Sequence, residues 1–283
     1  MQALHTASFA FELEQDLTIR GEVRVTGGES RRPVVLLVHG FKGFKDWGFF
    51  PYAAEQLARS GFAAVTFNFS CNGVGRSDFD ELHKFGRNTY SREQSDLSEL
   101  LDRLRAGELP LADRMDAGRL ALIGHSRGGG NSLIFAASQP DAIRAVVSWN
   151  GISDVNLFGD EFREQVLREG LGYVENARTK QHMPITAAFF EDLDRNRERF
   201  DITTAIAELP MPVLTVQGDQ DARRLVLGQE RLQQAAPRQR HMRIEGANHT
   251  FGAVHPFTGT TFHLERALGL TIGFLTEHLR HSH

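Results

Sequence analysis

Two hydrophobic rhythms alternate along the chain. Short unbroken apolar runs, Val34-Val35-Leu36-Leu37-Val38, Ala63-Ala64-Val65-Thr66-Phe67, Leu120-Ala121-Leu122-Ile123, Ile143 to Trp149 and Val213-Leu214-Thr215-Val216, predict strands covered on both faces, as in a parallel sheet. Between them, apolar residues recur at helical spacing, as Leu97, Leu100, Leu101 and Leu104 do within 91–106. Further helices are expected over about 51–60, from Ser126 to near Gln139-Pro140, before a last strand at His241 to Ile244, and over about 261–280. Residues 7–13 and 17–26 alternate more loosely around Gln15-Asp16, the pattern of an opening antiparallel hairpin that Gly27-Gly28-Glu29-Ser30 ends. The sum is an α/β fold: a mostly parallel sheet with helices on both faces, whose reactive groups gather at the carboxyl ends of the strands.

The interval 151–209 breaks the rhythm. It is too long for an ordinary connection, and its amphipathic stretches at about 159–172 and 184–200 read as helical. The expected organisation is a core of residues 1–150 and 210–283 with a helical cap insertion at 151–209. Its aromatic residues Phe158, Phe162, Phe189, Phe190 and Phe200 could line an apolar pocket or pack the cap onto the body, and single large apolar residues more often pack. Phe158, Phe189 and Phe190 are the substrate-binding candidates.

Composition narrows the class. The chain has 283 residues, 41% hydrophobic and 24% charged, which suits one large globular core. A formal net charge of -4 gives no basic footprint, so neither nucleic acid nor an anionic membrane surface is an expected partner. Cys71 is the single cysteine and has no internal disulfide partner. Glu12, Glu14 and Asp16 stand where a signal peptide would be basic and then apolar, and no run reaches membrane-spanning length. A cytoplasmic protein is expected.

Candidate chemistry centres on Gly124-His125-Ser126-Arg127-Gly128, a G-x-S-x-G pentapeptide between an apolar strand and the glycine-rich start of a helix. A serine becomes nucleophilic when it is exposed, aimed at a base and close to donors for an oxyanion, and a sharp strand-to-helix turn supplies all three. Small residues are needed where strand and helix crowd, and Gly124 and Gly128 meet that need. Among twelve histidines, His249 follows the last strand in the loop Gly246-Ala247-Asn248-His249-Thr250-Phe251 and is the candidate base. The orienting acid is placed in Gln217-Gly218-Asp219-Gln220-Asp221, with Asp221 favoured, Asp219 bracing the turn and Asp154 a further candidate.

Together with His39-Gly40-Phe41, these motifs resemble the α/β-hydrolase superfamily over nearly the whole chain. The stretch Phe41-Lys42-Gly43-Phe44-Lys45-Asp46-Trp47 is similar to the dienelactone-hydrolase-like and cinnamoyl-esterase-like branch and related serine peptidases. The resemblance implies an oxyanion hole formed by the backbone N–H groups of Phe41 and Arg127. Dienelactone hydrolases proper carry cysteine as nucleophile, so their lactone chemistry does not transfer to a chain with serine at 126. Asn248 stands where relatives often show aspartate.

Other conspicuous residues read as bystanders. The Arg127 side chain is expected to pair with an acid, Lys42 and Lys45, which flank the oxyanion loop, to be solvated more often than to meet a substrate carboxylate, and Cys71 to be a buried structural thiol. His278, His281 and His283 form a weak metal-like cluster, and no zinc, phosphate-loop or dinucleotide motif is present. The expected protein is a cofactor-free serine hydrolase acting on small carboxylic esters with aromatic or short acyl parts. A peptidase or amidase, and a non-catalytic binding module, are the alternatives. Either the edge of the opening hairpin or the cap could support a homodimer.

Overall fold

A computed structural model describes residues 3–14, 16–28 and 30–279. Gln15 and Glu29 of the opening hairpin, and His281 and His283, lie outside the described residues. In chain order the elements are β1 (Leu4–Glu12), β2 (Thr18–Thr26), β3 (Arg32–Val38), α1 (Phe50–Arg59), β4 (Ala63–Asn68), α2 (Leu82–Phe85), α3 (Tyr90–Arg105), β5 (Met115–His125), α4 (Arg127–Ser138), β6 (Ile143–Trp149), α5 (Asp160–Glu169), β7 (Leu171–Glu175), β8 (His182–Thr186), α6 (Ala187–Arg195), α7 (Ile202–Glu208), β9 (Val213–Gly218), α8 (Arg223–Ala235), β10 (Arg240–Ile244) and α9 (Phe262–Leu279).

Eight strands form one sheet in the order β1-β2-β4-β3-β5-β6-β9-β10. β1 and β2 pair antiparallel, β2 meets β4 antiparallel, and the remaining pairs are parallel. Because successive side chains of a strand point to opposite faces, the apolar runs feed two cores. Val34, Leu36 and Val38 of β3 join the core under α3, α4 and the cap, whereas Val35 and Leu37 join the core under α1 and α9. The Leu97, Leu100, Leu101 and Leu104 stripe of α3 is buried as its spacing predicts, and Thr89 caps that helix by accepting the N–H of Arg92.

The inserted interval departs from the purely helical expectation. Besides α5, α6 and α7 it holds the antiparallel hairpin β7–β8, in register from Leu171 opposite Thr186 to Glu175 opposite His182. The stretch read as one helix over 184–200 begins as a strand: Met183 and Ile185 are buried while His182 is exposed, a period of two. Pro184 is tolerated there because a two-stranded ribbon is all edge. α5 ends at Glu169 because Gly170 adopts φ 80°, the left-handed terminator of a helix.

The cap phenylalanines pack. Phe189 and Phe190 are 2% and 0% exposed, and with Phe158 and Phe162 they form a cluster of ring contacts 5.1–6.4 Å apart between α5 and α6. Phe158, Phe189 and Phe190 are not among the residues that line the cavity beside Ser126. The reason is periodicity: Phe189, Phe190 and Leu193 are the buried stripe of α6, and that stripe is spent on the seam with the rest of the cap and body.

Candidate active site

At the end of β5 the chain turns into α4 through Ser126, whose φ of 58° and ψ of −121° lie outside the regions a side-chain-bearing residue prefers. Such a conformation costs about 1–3 kcal/mol and persists where the surroundings over-determine it. Here Ser126 donates its N–H to Trp149 O at 2.9 Å, and Ser126 O accepts from Gly129 at 3.0 Å and from Ile152 at 3.1 Å. A Cβ on Gly124 would sit 2.1 Å from Gly128 O, and one on Gly128 2.2 Å from Val38 O. Both glycines are thus demanded by strand–helix contact, as the pentapeptide implies.

Gly40 brings the loop after β3 onto this turn, since a Cβ there would stand 2.9 Å from His125 O and 3.0 Å from the Ser126 Cβ. Gly43 N–H then closes onto Gly40 O at 2.9 Å, placing Phe41 and Lys42 at the corners of a tight turn beside the serine. Arg127 opens α4, where backbone N–H groups have no intrahelical acceptor and face the positive end of the dipole. Its side chain points inward: it is 1% exposed, with Nε 3.0 Å from Glu93 Oε2 and the guanidinium 4.1 Å from the Tyr90 ring centroid. Burial pushes the Glu93 carboxyl up, against the pull of Arg127 and the amides of Asn88 and Asn131. Only the backbone of Arg127 is left for chemistry.

The acid and base meet. His249 Nδ1 lies 2.9 Å from Asp221 Oδ2. Burial alone would raise the Asp221 carboxyl, but His249, the Gln217 amide and the Ala222 N–H outweigh it and hold it below the usual carboxylate range. Asp219 instead accepts Gly246 N–H at 2.8 Å, joining the acid turn to the base loop, and Asp154 caps its own loop on Asn156 N–H at 2.9 Å. Asn248 likewise serves the loop, accepting from Thr250 at 3.2 Å and Gly252 at 2.7 Å.

Two positioning groups escape the motif reading. Asn150, fully buried and at φ 46°, accepts Gly218 N–H at 2.7 Å and donates to His249 O at 2.8 Å and Asn248 O at 3.3 Å. One amide therefore ties the loops that carry Asp221 and His249. His125 Nε2 lies 2.8 Å from His249 O; a carbonyl only accepts, so that nitrogen carries the proton. Burial, then the His249 charge, lowers His125 to about 3, so its ring stays neutral. The available signal for Asn150 was its place: a polar residue just past a buried strand, of a type that tolerates positive φ.

Ser126, His249, His125 and Thr250 open on a cavity of about 410 Å³, within the range of small-molecule sites. No hydrogen bond joins Ser126 to His249 among the described residues, a looseness common before substrate binds. Phe41, Trp47 and Phe50 supply the apolar wall, and the β7–β8 loop contributes Asn176, Ala177 and Arg178. Lys42 also lines it, donating to Glu175 O at 3.1 Å, so it is not the solvated residue expected. Lys45 pairs with Glu22 and Asp46, and Cys71 is buried with its thiol pushed up to about 11, chiefly by burial. No described helix is long and apolar enough to cross a membrane.

A family model described as the alpha/beta hydrolase fold matches residues 33–169. The chain therefore has the α/β-hydrolase fold, as its motifs imply. Among solved structures, Est1E from Butyrivibrio proteoclasticus with ferulic acid bound matches with a TM-score of 0.72 at 18% identity, over 96% of this chain and 99% of that one. A dienelactone hydrolase from Anabaena variabilis matches with a TM-score of 0.64 at 17% identity, over 98% and 99%. An uncharacterized 31.7 kDa protein in the traX-finO intergenic region of Escherichia coli is 29% identical over 131 residues. That match takes in 46% of this chain and spans 41% of the relative's length.

Proposed function

We propose that this chain is a serine hydrolase of small carboxylic esters with aromatic or short acyl groups, working through an acyl-enzyme. The observation that carries the reading is the Asp221–His249 contact at 2.9 Å opening on the cavity that also holds Ser126 on its strained turn. His249 takes the Ser126 proton as the hydroxyl attacks the ester carbonyl, and Asp221 steadies the imidazolium. The N–H groups of Phe41 and Arg127 hold the oxyanion, each worth about 3 kcal/mol. His249 then protonates the leaving alkoxide and activates the water that releases the acid.

The aromatic preference is supported by Phe41, Trp47 and Phe50 in the wall, and ferulic acid in Est1E is an aromatic acid. The peptidase alternative called for a cap carboxylate to catch a substrate ammonium. Glu161, Glu164 and Glu191 are exposed and absent from the cavity lining, so no observation favours it. The test is labelling by a fluorophosphonate together with turnover of nitrophenyl and hydroxycinnamoyl esters. Label on Ser126 and ester turnover that Ser126→Ala or His249→Ala abolishes are expected; an inert Ser126 would leave a binding module.

A further inference from the structure

The charge of the cavity lining is one-sided. Lys42 and Arg178 both line it, and among the described residues no Asp or Glu does. Arg178 is half engaged: one guanidinium nitrogen lies 2.6 Å from Asp78 Oδ2, leaving other N–H groups of its fork free of that contact. Lys42 is less engaged still. Its ammonium donates to the Glu175 backbone oxygen, while the Glu175 carboxylate is held by Lys180 at 3.0 Å. Lys45, Lys84 and Lys180 each lie within 4.0 Å of a carboxylate; Lys42 has no such partner among the described residues.

Burial pulls the Lys42 amine down from its ordinary value, against the charge of Glu175. A half-buried ammonium whose partners are one neutral acceptor and the face of the Phe41 ring, 5.5 Å from its centroid, is a group whose charge an arriving anion would satisfy. Its place is fixed by the chain: Lys42 follows Phe41 in the turn closed by Gly43 and Gly40, at φ 57°. Lys42 thus stands next to the proposed oxyanion donor.

We propose that the ester taken by this site carries a carboxylate away from its scissile bond, bound by Lys42 with Arg178 adding to the attraction. The proposal rests on the ester-hydrolase reading and gives its substrate a charge: one unpaired cation suits a singly charged group. The same lining repels a substrate ammonium, which sets the site against peptides read from their amino end.

Two matched pairs of esters test it. Mono(4-nitrophenyl) glutarate against 4-nitrophenyl pentanoate places the charge on the acyl side; 4-acetoxybenzoate against its methyl ester places it on the leaving group. In at least one pair kcat/KM should favour the anion by about tenfold or more, as a charge-assisted contact would give. Lys42→Met should bring that ratio towards one, Lys42→Arg should keep it, and added salt should weaken it. Equal kcat/KM within both pairs, or a preference that Lys42→Met leaves intact, overturns the proposal while neutral-ester turnover preserves the hydrolase. Calorimetry of the glutarate monoester with Ser126→Ala needs no turnover. Binding abolished by Lys42→Met supports the subsite even if no ester is cleaved by the parent chain, in which case the hydrolase reading alone fails.

Discussion

The sheet body and the cap hairpin both reach the cavity, but they are fastened differently. In the body, the acid and base loops are tied through main chain and buried amide: Asp219 N–H to Ile244 O at 3.2 Å, Gln220 N–H to Ala247 O at 2.9 Å, and the Asn150 bridge. The hairpin β7–β8 is held to the body through side chains: Lys42 on Glu175 O, Gln181 on Phe79 O at 3.1 Å, Arg178 on Asp78, and Thr186 on Gly86 O at 2.8 Å. Backbone ties survive most substitutions and side-chain ties do not. The contrast teaches where change is tolerated: the groups proposed for bond breaking sit on a frame held largely by main chain, whereas Asn176, Ala177 and Arg178 reach the cavity from a hairpin held to the body by side chains.

The largest effect should come from the frame. Asp221→Asn keeps the shape of the contact with His249 but removes the charge and favours the wrong tautomer, so kcat should fall about 10⁴-fold. Asp219→Asn, which touches only the loop, should cost far less; equal losses in steady-state kinetics would dissolve the distinction between the two acids. Phe190→Ala then probes the cap from inside. At 0% exposure it should cost about 3–5 kcal/mol in denaturant unfolding, with KM for a neutral aryl ester little changed wherever the fold is intact. A large rise in KM with little loss of stability would return Phe190 to the substrate.

That second test bears on how much the sequence could convey. Ser126 and Asp221 stood out as candidates because each follows a continuous apolar strand, and His249 because its loop follows β10, the mostly polar strand at the sheet's edge; strand ends converge on one edge of a parallel sheet. The cap was illegible in detail because its elements are short and half exposed: β7 and β8 are five residues each, and Pro184 argues locally against a strand. Aromatic content said that Phe158, Phe189 and Phe190 would be covered but not by what. Asn150 was hidden for another reason. Its role lies in hydrogen bonds to residues 68 and 99 positions away, which no local pattern encodes. Asn150→Ala should leave Gly218 N–H without its acceptor and loosen both loops, lowering kcat about 100-fold with a smaller change in KM. A Ser126 label that forms at the parent rate in this variant would show that the bridge is dispensable.

The smallest expected effect separates the frame's electrostatics from its shape. His125 is neutral in the folded chain, with its value lowered to about 3, whereas an unfolded histidine titrates near about 6.5. As the medium is acidified below that ordinary value, the unfolded chain binds a proton that the folded chain refuses. Stability is therefore full above about pH 6.5 and drains away on the path towards pH 3. At about pH 5 the loss from this one ring is about 2 kcal/mol. His39, buried and lowered to about 4, drains in the same direction, so the total fall is steeper than one ring explains. His125→Gln keeps an N–H donor for His249 O while removing the titration. Urea midpoints at about pH 7.5 and about pH 5 should thus lie closer together in the variant than in the parent. An unchanged gap would mean that the ring takes its second proton, at Nδ1, without leaving the fold, its Nε2–H still donated to His249 O.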